Sequence, residues 1–355
     1  MAQAVSEDVW SERDTTPSAI EAALRELLGR RYQQDRAFVP ARVMNLVVIV
    51  DRDFRGEVEN RLARVGRYHP SRLVIAAVEE GRTQLDARAA VAAEDAVHKP
   101  GHIAVGRERV EVEIGPQHLE SLDTIVDPLL VTDLATMVWA PHGHHAGVDA
   151  LRRLASIVLI DSLDEPSVGE AFDFATDLIG SAYVVDLAWL RSTPWRERVA
   201  ALFDPPAMRQ SLGAIDKVVV RHRPDSTAAG VLFCGWLASR LGWRPGPLAR
   251  RGDQLTGHCR ARRGEVTLEL HPEEMGAPGL GGVTIEMASG EALSLDRGPG
   301  GLRAVRRARD GREQAWTVLG ASRGESGILG EGVRQALLRD PTYTPALEAG
   351  RVLAG

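Results

Sequence analysis

The chain has 355 residues, 44% of them hydrophobic and 26% charged, with a formal net charge of −6. That length accommodates two domains with a core each, and the acidic balance argues against broad binding to nucleic acid or anionic membranes. Its two cysteines, Cys234 and Cys259, are too few for a disulfide framework and form no CxxC, which places the chain in a reducing cytoplasm.

Residues 1–15 are polar, lack the basic and apolar regions of a signal peptide, and read as a mobile lead-in. Thr16-Pro17 then has the cap-and-proline form of a helix start, followed by a stripe of Ile20, Ala23, Leu24, Leu27 and Leu28. Leu46-Val47-Val48-Ile49-Val50 is a continuous apolar run, as in a strand buried on both faces. Val58, Leu62 and Val65 mark a helix, and His69-Pro70-Ser71-Arg72 turns the chain into a second strand, Leu73 to Val78. A strand–helix–strand unit of this kind predicts a parallel sheet, since parallel neighbours need a crossover.

Two strands are predicted between 85 and 114, a helix around Leu119–Leu129, a strand at Ala135–Ala140, a helix at Val148–Leu154, a strand at Ile157–Ile160 and a helix through Phe172–Ile179. Tyr183 to Leu190 alternates with the period of a strand. Thr193 then stands as an N-cap, Pro194 as the first helical residue, and Trp195, Val199, Leu202 and Phe203 as a helical stripe that Asp204-Pro205-Pro206 stops. Beyond that boundary come a strand at Lys217–Arg221 and a helix at Ala228–Leu241. Short alternating segments follow, split by Gly and Pro: Leu255–Ala261, Val266–Leu270, Val283–Met287, Ala292–Leu295, Gly301–Arg307 and Ala315–Leu319. They predict an antiparallel sheet closed by two helices, near Ile328–Leu338 and Pro345–Leu353. The expected architecture is an α/β domain with a mostly parallel sheet over 16–205, then an α+β domain with an antiparallel sheet over 206–355.

Chemical motifs are sparse. Asp51-Arg52-Asp53 follows the first strand where a dinucleotide-binding protein would carry G-x-G-x-x-G. Gly279-Leu280-Gly281 has Thr284 at the third glycine position, and neither a P-loop nor G-x-S-x-G occurs. His142-Gly143-His144-His145 could bind a metal adventitiously, but a solvated loop is the simpler reading. The basic segment Arg303–Arg312 could meet phosphate or acidic protein surface, against the plainer reading of a charged hairpin in solvent. No catalytic constellation, cofactor cradle or metal site is predicted.

The densest stretch is Asp186–Arg196, DLAWLRSTPWR, with two of the chain's seven tryptophans, two arginines and an aspartate. Indoles and guanidiniums are enriched where proteins grip partners, although each residue taken singly also fits a core tryptophan or a local ion pair. The stretch closely resembles the signature of the glucose-6-phosphate dehydrogenase assembly proteins, the OpcA family, D-L-A-W-x-R-x-T-P-W-R, at every defined position. The His-Pro-x-Arg turn at 69–72, the D-P-L-L segment at Asp127–Leu130 and the tryptophan strand at Trp139 are also similar to that family. The resemblance implies a non-catalytic, cytoplasmic partner that binds glucose-6-phosphate dehydrogenase and promotes its assembly and activity. Trp189, Arg191, Trp195 and Arg196 are then candidate contacts, with Asp186, Thr193 and Pro194 shaping the joint. The alternative is an enzyme acting on a sugar phosphate held at a helix N-terminus near Thr193 or Ser226-Thr227.

Overall fold

The computed structural model describes residues 5–36, 38–65, 70–94, 104–298, 301–319 and 324–355. Two compact units emerge, each made of two chain segments: 1–160 with 178–185, and 161–177 with 186–355. The sequence placed its boundary at 205/206. Here the chain instead passes from one unit to the other near 160, 177 and 185, and the signature from Asp186 onward belongs to the second unit.

The first unit is built on a sheet in the order Val5–Glu12, Asp86–Glu94, Ala104–Ile114, Ser71–Val78, Met44–Asp51, Thr136–Trp139, Ile157–Ile160 and Tyr183–Asp186, with Phe38–Pro40 pairing Ala104–Ile114 off this path. The central pairs are parallel and the two at the Val5–Glu12 edge antiparallel. Leu46 to Val50 are buried, as an apolar run between two covered faces requires. Thr16 caps the helix Pro17–Gln34 through a 3.3 Å bond from the Ala19 amide. The predicted mobile lead-in is corrected: Val5–Glu12 is an edge strand paired with Asp86–Glu94. Its charged residues hid it, and such residues are what an exposed edge carries.

Arg72, from the His-Pro-Ser-Arg turn, bonds the buried Glu108 at 2.7 Å, and Arg42 holds the same carboxylate. His69 itself lies outside the described residues. The predicted helix at 119–129 is broken into short turns, Pro116–Ser121, Leu122–Val126 and Asp127–Leu129. Asn45 is buried beside them, donating to the Val131 carbonyl at 3.0 Å and accepting from the Val131 amide at 3.0 Å.

The second unit holds a mostly antiparallel sheet in the order Arg244–Pro245, Gln254–Ala261, Gly264–Pro272, Ile215–His222, Leu280–Met287, Ala292–Gly298, Gly301–Arg307 and Glu313–Leu319. Ile215–His222 and Gly264–Pro272 form its one parallel pair among the described strands. The helix Thr227–Leu241 packs against the strands Ile215–His222 and Gly264–Pro272. Thr227–Leu241 is apolar on nearly all sides and therefore buried.

That helix packs on Tyr343–Ala354 so closely that a Cβ added at Gly235 would lie 2.3 Å from the Ala346 carbonyl oxygen and 2.9 Å from the Gly350 amide nitrogen. Backbone cannot yield as a side-chain tip does. Gly235→Ala is expected to destabilise the second unit by about 1–3 kcal/mol, read as a lower urea midpoint at unchanged slope.

Candidate functional site

The signature forms a corner in the second unit. The strand stops at Asp186, and the helix Leu187–Arg191 starts at once, so the predicted continuation of the strand to Leu190 is wrong. The reason is the Asp186 carboxylate. It accepts the Ala188 amide at 2.9 Å and caps a helix that the alternating apolar residues had concealed. Thr193 is likewise not the cap of the next helix. Ser192 holds that position, while Thr193 and Pro194 open the helix Thr193–Leu202.

Asp186 is almost wholly buried and saturated with donors: the Ser162 amide at 3.2 Å, the Ser162 hydroxyl at 2.6 Å and the Tyr343 hydroxyl at 3.2 Å, besides Ala188. Burial pushes its pKa up to about 6, the Asp161 charge adding to the rise and the Ser162 and Ala188 bonds opposing it. The folded state therefore holds a proton there that the unfolded chain releases near 3.8. The sign follows: through this group stability declines as pH rises from about 3.8 to about 6, and the cost is complete above that, on the order of 3 kcal/mol. Asp186→Asn should flatten that window, checked by urea melts at pH 4.5 and 7.

Around this anchor Trp189 and Arg196 meet each other and the end of the chain, while Arg191 turns to Asp161. Arg191 grips Asp161 with two bonds, 2.8 and 2.7 Å, and both side chains are less than a tenth exposed. Trp189 donates its Nε1–H to Asp340 Oδ2 at 2.8 Å, and its ring meets Tyr343 edge-on with centroids 5.6 Å apart. The Arg196 guanidinium lies 3.3 Å from the Trp189 ring centroid and donates to the Trp189 carbonyl at 2.7 Å, to the Ser192 hydroxyl and to Thr193 Oγ1 at 3.0 Å. Burial lowers the Arg196 pKa to about 9, with Asp340 opposing, so it stays charged at neutral pH. Burial works to raise Asp340 in turn, but two bonds from Thr342, one from Trp189 and the Arg196 charge hold its carboxyl below the usual range. Trp195 lies apart from this network, with the Arg297 guanidinium 5.9 Å from its ring.

All seven predicted residues therefore fall in one corner. Trp189 and Trp195 are each 2% exposed and Arg196 7%. The sequence offered Trp189, Arg191, Trp195 and Arg196 as contact surface, whereas in this conformation they face inward. Ser162, Asp340 and Tyr343 were missed, and Asp161 was read only as an acidic strand end. They come from segments about 24 and 150 residues away, and no local pattern marks them.

Ser226 Oγ accepts the Gly279 amide at 2.9 Å, so that hydroxyl is already engaged. His144 Nε2 lies 2.9 Å from Asp51, and the His142 ring packs on Phe54 at 4.5 Å. Among the described residues no group of three or more His, Cys, Asp or Glu is arranged to hold a metal. Burial raises Cys259 to about 11 and Cys234 further, so both stay thiols and weak nucleophiles at neutral pH. No helix of the described residues is long and apolar enough to cross a membrane.

In the first unit a polar cleft of about 790 Å³ opens near the carboxyl ends of Met44–Asp51 and Ser71–Val78, lined among others by Arg52, Arg55, Arg82, Glu111 and Glu113. Two of its arginines are held by its own carboxylates, Arg82 by Glu113 and Asp86 at 2.8 Å each and Arg55 by Glu111 at 3.3 Å. An incoming anion would have to displace them.

Fold and corner together define a protein of two sheet-bearing units, one sheet mostly parallel and one mostly antiparallel, whose longest specific motif is largely buried in the second. Residues 63–174 match the N-terminal domain of the glucose-6-phosphate dehydrogenase subunit family, and residues 182–347 match the C-terminal domain of the same family. The chain belongs to this glucose-6-phosphate dehydrogenase assembly family, OpcA. A curated relative from Synechococcus elongatus, provisionally described as an OxPP cycle protein OpcA, is 30% identical over 181 residues, 49% of this chain and 41% of its own length. A relative of the same description from Synechocystis is 29% identical over 132 residues, 36% of this chain and 28% of its own. The chain thus matches less than half the length of these relatives. An oxidoreductase from Sinorhizobium meliloti aligns over 87% of this chain and 94% of its own, at 13% identity and a TM-score of 0.48, too distant a likeness to carry an argument.

Proposed function

We propose that this chain is a non-catalytic assembly factor and allosteric activator of glucose-6-phosphate dehydrogenase, acting in the cytoplasm at the entry to the oxidative pentose phosphate pathway. The observation that carries this reading is the match of two consecutive segments, 63–174 and 182–347, to the two domains described for a subunit of that dehydrogenase. The description of the relatives as OxPP cycle proteins supports it. Such a factor works by binding the active oligomer more tightly than the inactive state, since a ligand shifts an equilibrium only by its differential affinity. The buried signature then acts from behind. Asp186, Thr193 and Pro194 set the joint, and Trp189, Arg191, Trp195 and Arg196 brace the corner that presents neighbouring surface to the dehydrogenase.

The test mixes the purified chain with the dehydrogenase from the same source and follows activity and particle mass together. Higher activity with a heavier particle is expected. No change in either quantity, or turnover of pathway sugar phosphates by the isolated chain, would overturn the reading. Trp195→Ala separates bracing from contact: a bracing residue lowers the melting temperature along with binding, whereas lost binding at full stability would return Trp195 to the contact surface.

A further inference from the structure

The hairpin Gly301–Arg307 and Glu313–Leu319 ends the second sheet, and the feature to explain is its unprotected rim. Every residue from Glu313 to Thr317 is exposed, on both faces of the strand. Trp316, 37% exposed, is among the chain's exposed large hydrophobic residues. Natural edges are blunted by proline, lysine, bulges or a covering helix. EQAWTVL has neither of those residues, and its pairing to Gly301–Arg307 runs without a register shift.

The Ala308 amide donates to the Arg312 carbonyl at 2.8 Å, so the hydrogen-bonded pairs continue as Arg306 with Gln314 and Ala304 with Trp316. The N–H and C=O groups of Glu313, Ala315 and Thr317 therefore point outward, away from the hairpin. Behind this rim, Arg303, Val305 and Arg307 share a face with Thr317, Ala315 and Glu313, their cross-strand partners. Arg303 and Arg307 are exposed and, among the described residues, have no ion-pair or hydrogen-bond partner, nor has Arg309 at the tip. The hairpin carries five arginines against Asp310 and Glu313, in a chain whose net charge is −6. A strand added outside Glu313–Leu319 would lie about 10 Å from Gly301–Arg307. Arg303 reaches toward that strand across the small Thr317, and Arg307 does so beside its cross-strand partner Glu313.

We propose that this rim is a strand-addition site that takes an extended acidic segment of a partner polypeptide, with backbone bonds supplied by Ala315 and Thr317 and charge pairing by Arg303 and Arg307. This rests on the reading that the chain works by binding a protein.

The first test uses a labelled seven-residue peptide of alternating Glu and Thr on the full chain, with a Lys–Thr peptide as control. Saturable binding of the Glu–Thr peptide alone is expected, weakened at least tenfold by Thr317→Pro, which removes an outward N–H without touching a bond inside the hairpin. The double variant Arg303→Glu with Arg307→Glu should lose as much, and Arg303→Lys with Arg307→Lys should retain most of the affinity. Circular dichroism reports folding, and if the proline variant does not fold the charge variants decide alone. Absence of binding, equal binding of both peptides, or equal affinity across the variants overturns the site. So does a doubled mass of the chain alone that Thr317→Pro returns to monomer, which would assign the rim to a second copy. The same variants are then mixed with the dehydrogenase. If wild type binds the peptide but not the enzyme, the proposed function fails while the site stands; if wild type binds the enzyme and all variants bind it equally, the site is not the docking rim and the function stands.

Discussion

Arg191→Ala will destabilise the second unit by about 3–5 kcal/mol, because it strands the Asp161 carboxylate where only 8% of that side chain is exposed. The loss comes from the partner left behind more than from the pair itself. Two parallel bonds of 2.8 and 2.7 Å now satisfy both oxygens of that carboxylate, and water cannot readily replace them. The measurement is urea denaturation followed by circular dichroism, and a loss below about 1 kcal/mol would show the pair to be solvated. A double replacement sharpens the argument. Asp161→Leu with Arg191→Met removes both charges and keeps apolar volume, so it should recover most of the stability. Failure to recover would mean that the ion pair also fixes the geometry of the corner.

Trp189→Ala carries a comparable expected loss, about 3–5 kcal/mol. Three interactions go at once: the ring's own burial, its seat beneath the Arg196 guanidinium and the 2.8 Å bond to Asp340. Trp189→Phe separates them. It keeps an aromatic face for Arg196 but leaves one Asp340 oxygen short of a donor, which costs roughly 1–3 kcal/mol. The ordering Ala worse than Phe, in the same denaturation measurement, is the expected result. Equal losses would assign the whole effect to the indole N–H.

The sequence made much of this legible where local chemistry decides the outcome. Leu46–Val50 could only be a strand covered on both faces, and Thr16-Pro17 had one reasonable reading as a helix start. The alternating segments from Leu255 to Leu319 became the antiparallel strands they predicted. The failures have physical causes. Tyr183–Leu190 satisfies the period of a strand, yet a capping carboxylate at Asp186 stops the strand after four residues. The enrichment of tryptophan and arginine was read as surface, but these side chains serve equally well as a cation–π brace once an acid such as Asp340 is brought to them. Nothing within ten residues of Trp189 announces Asp340 or Tyr343. The polar cleft of the first unit escaped for the same reason, since Arg52 and Arg82 follow two different strands and Glu113 lies near the end of a third.

The span between Asp186 and its donor Tyr343, 157 residues, has a consequence during synthesis. A ribosome adding about 5–20 residues per second needs roughly 8–30 s to cover that distance. For most of that interval Asp186 and Trp189 are clear of the ribosome, and Asp340 and Tyr343 are not yet there to close over them. The nascent chain therefore carries an open aromatic and acidic patch far longer than local folding takes, and a chaperone or a waiting partner has time to reach it before the corner seals.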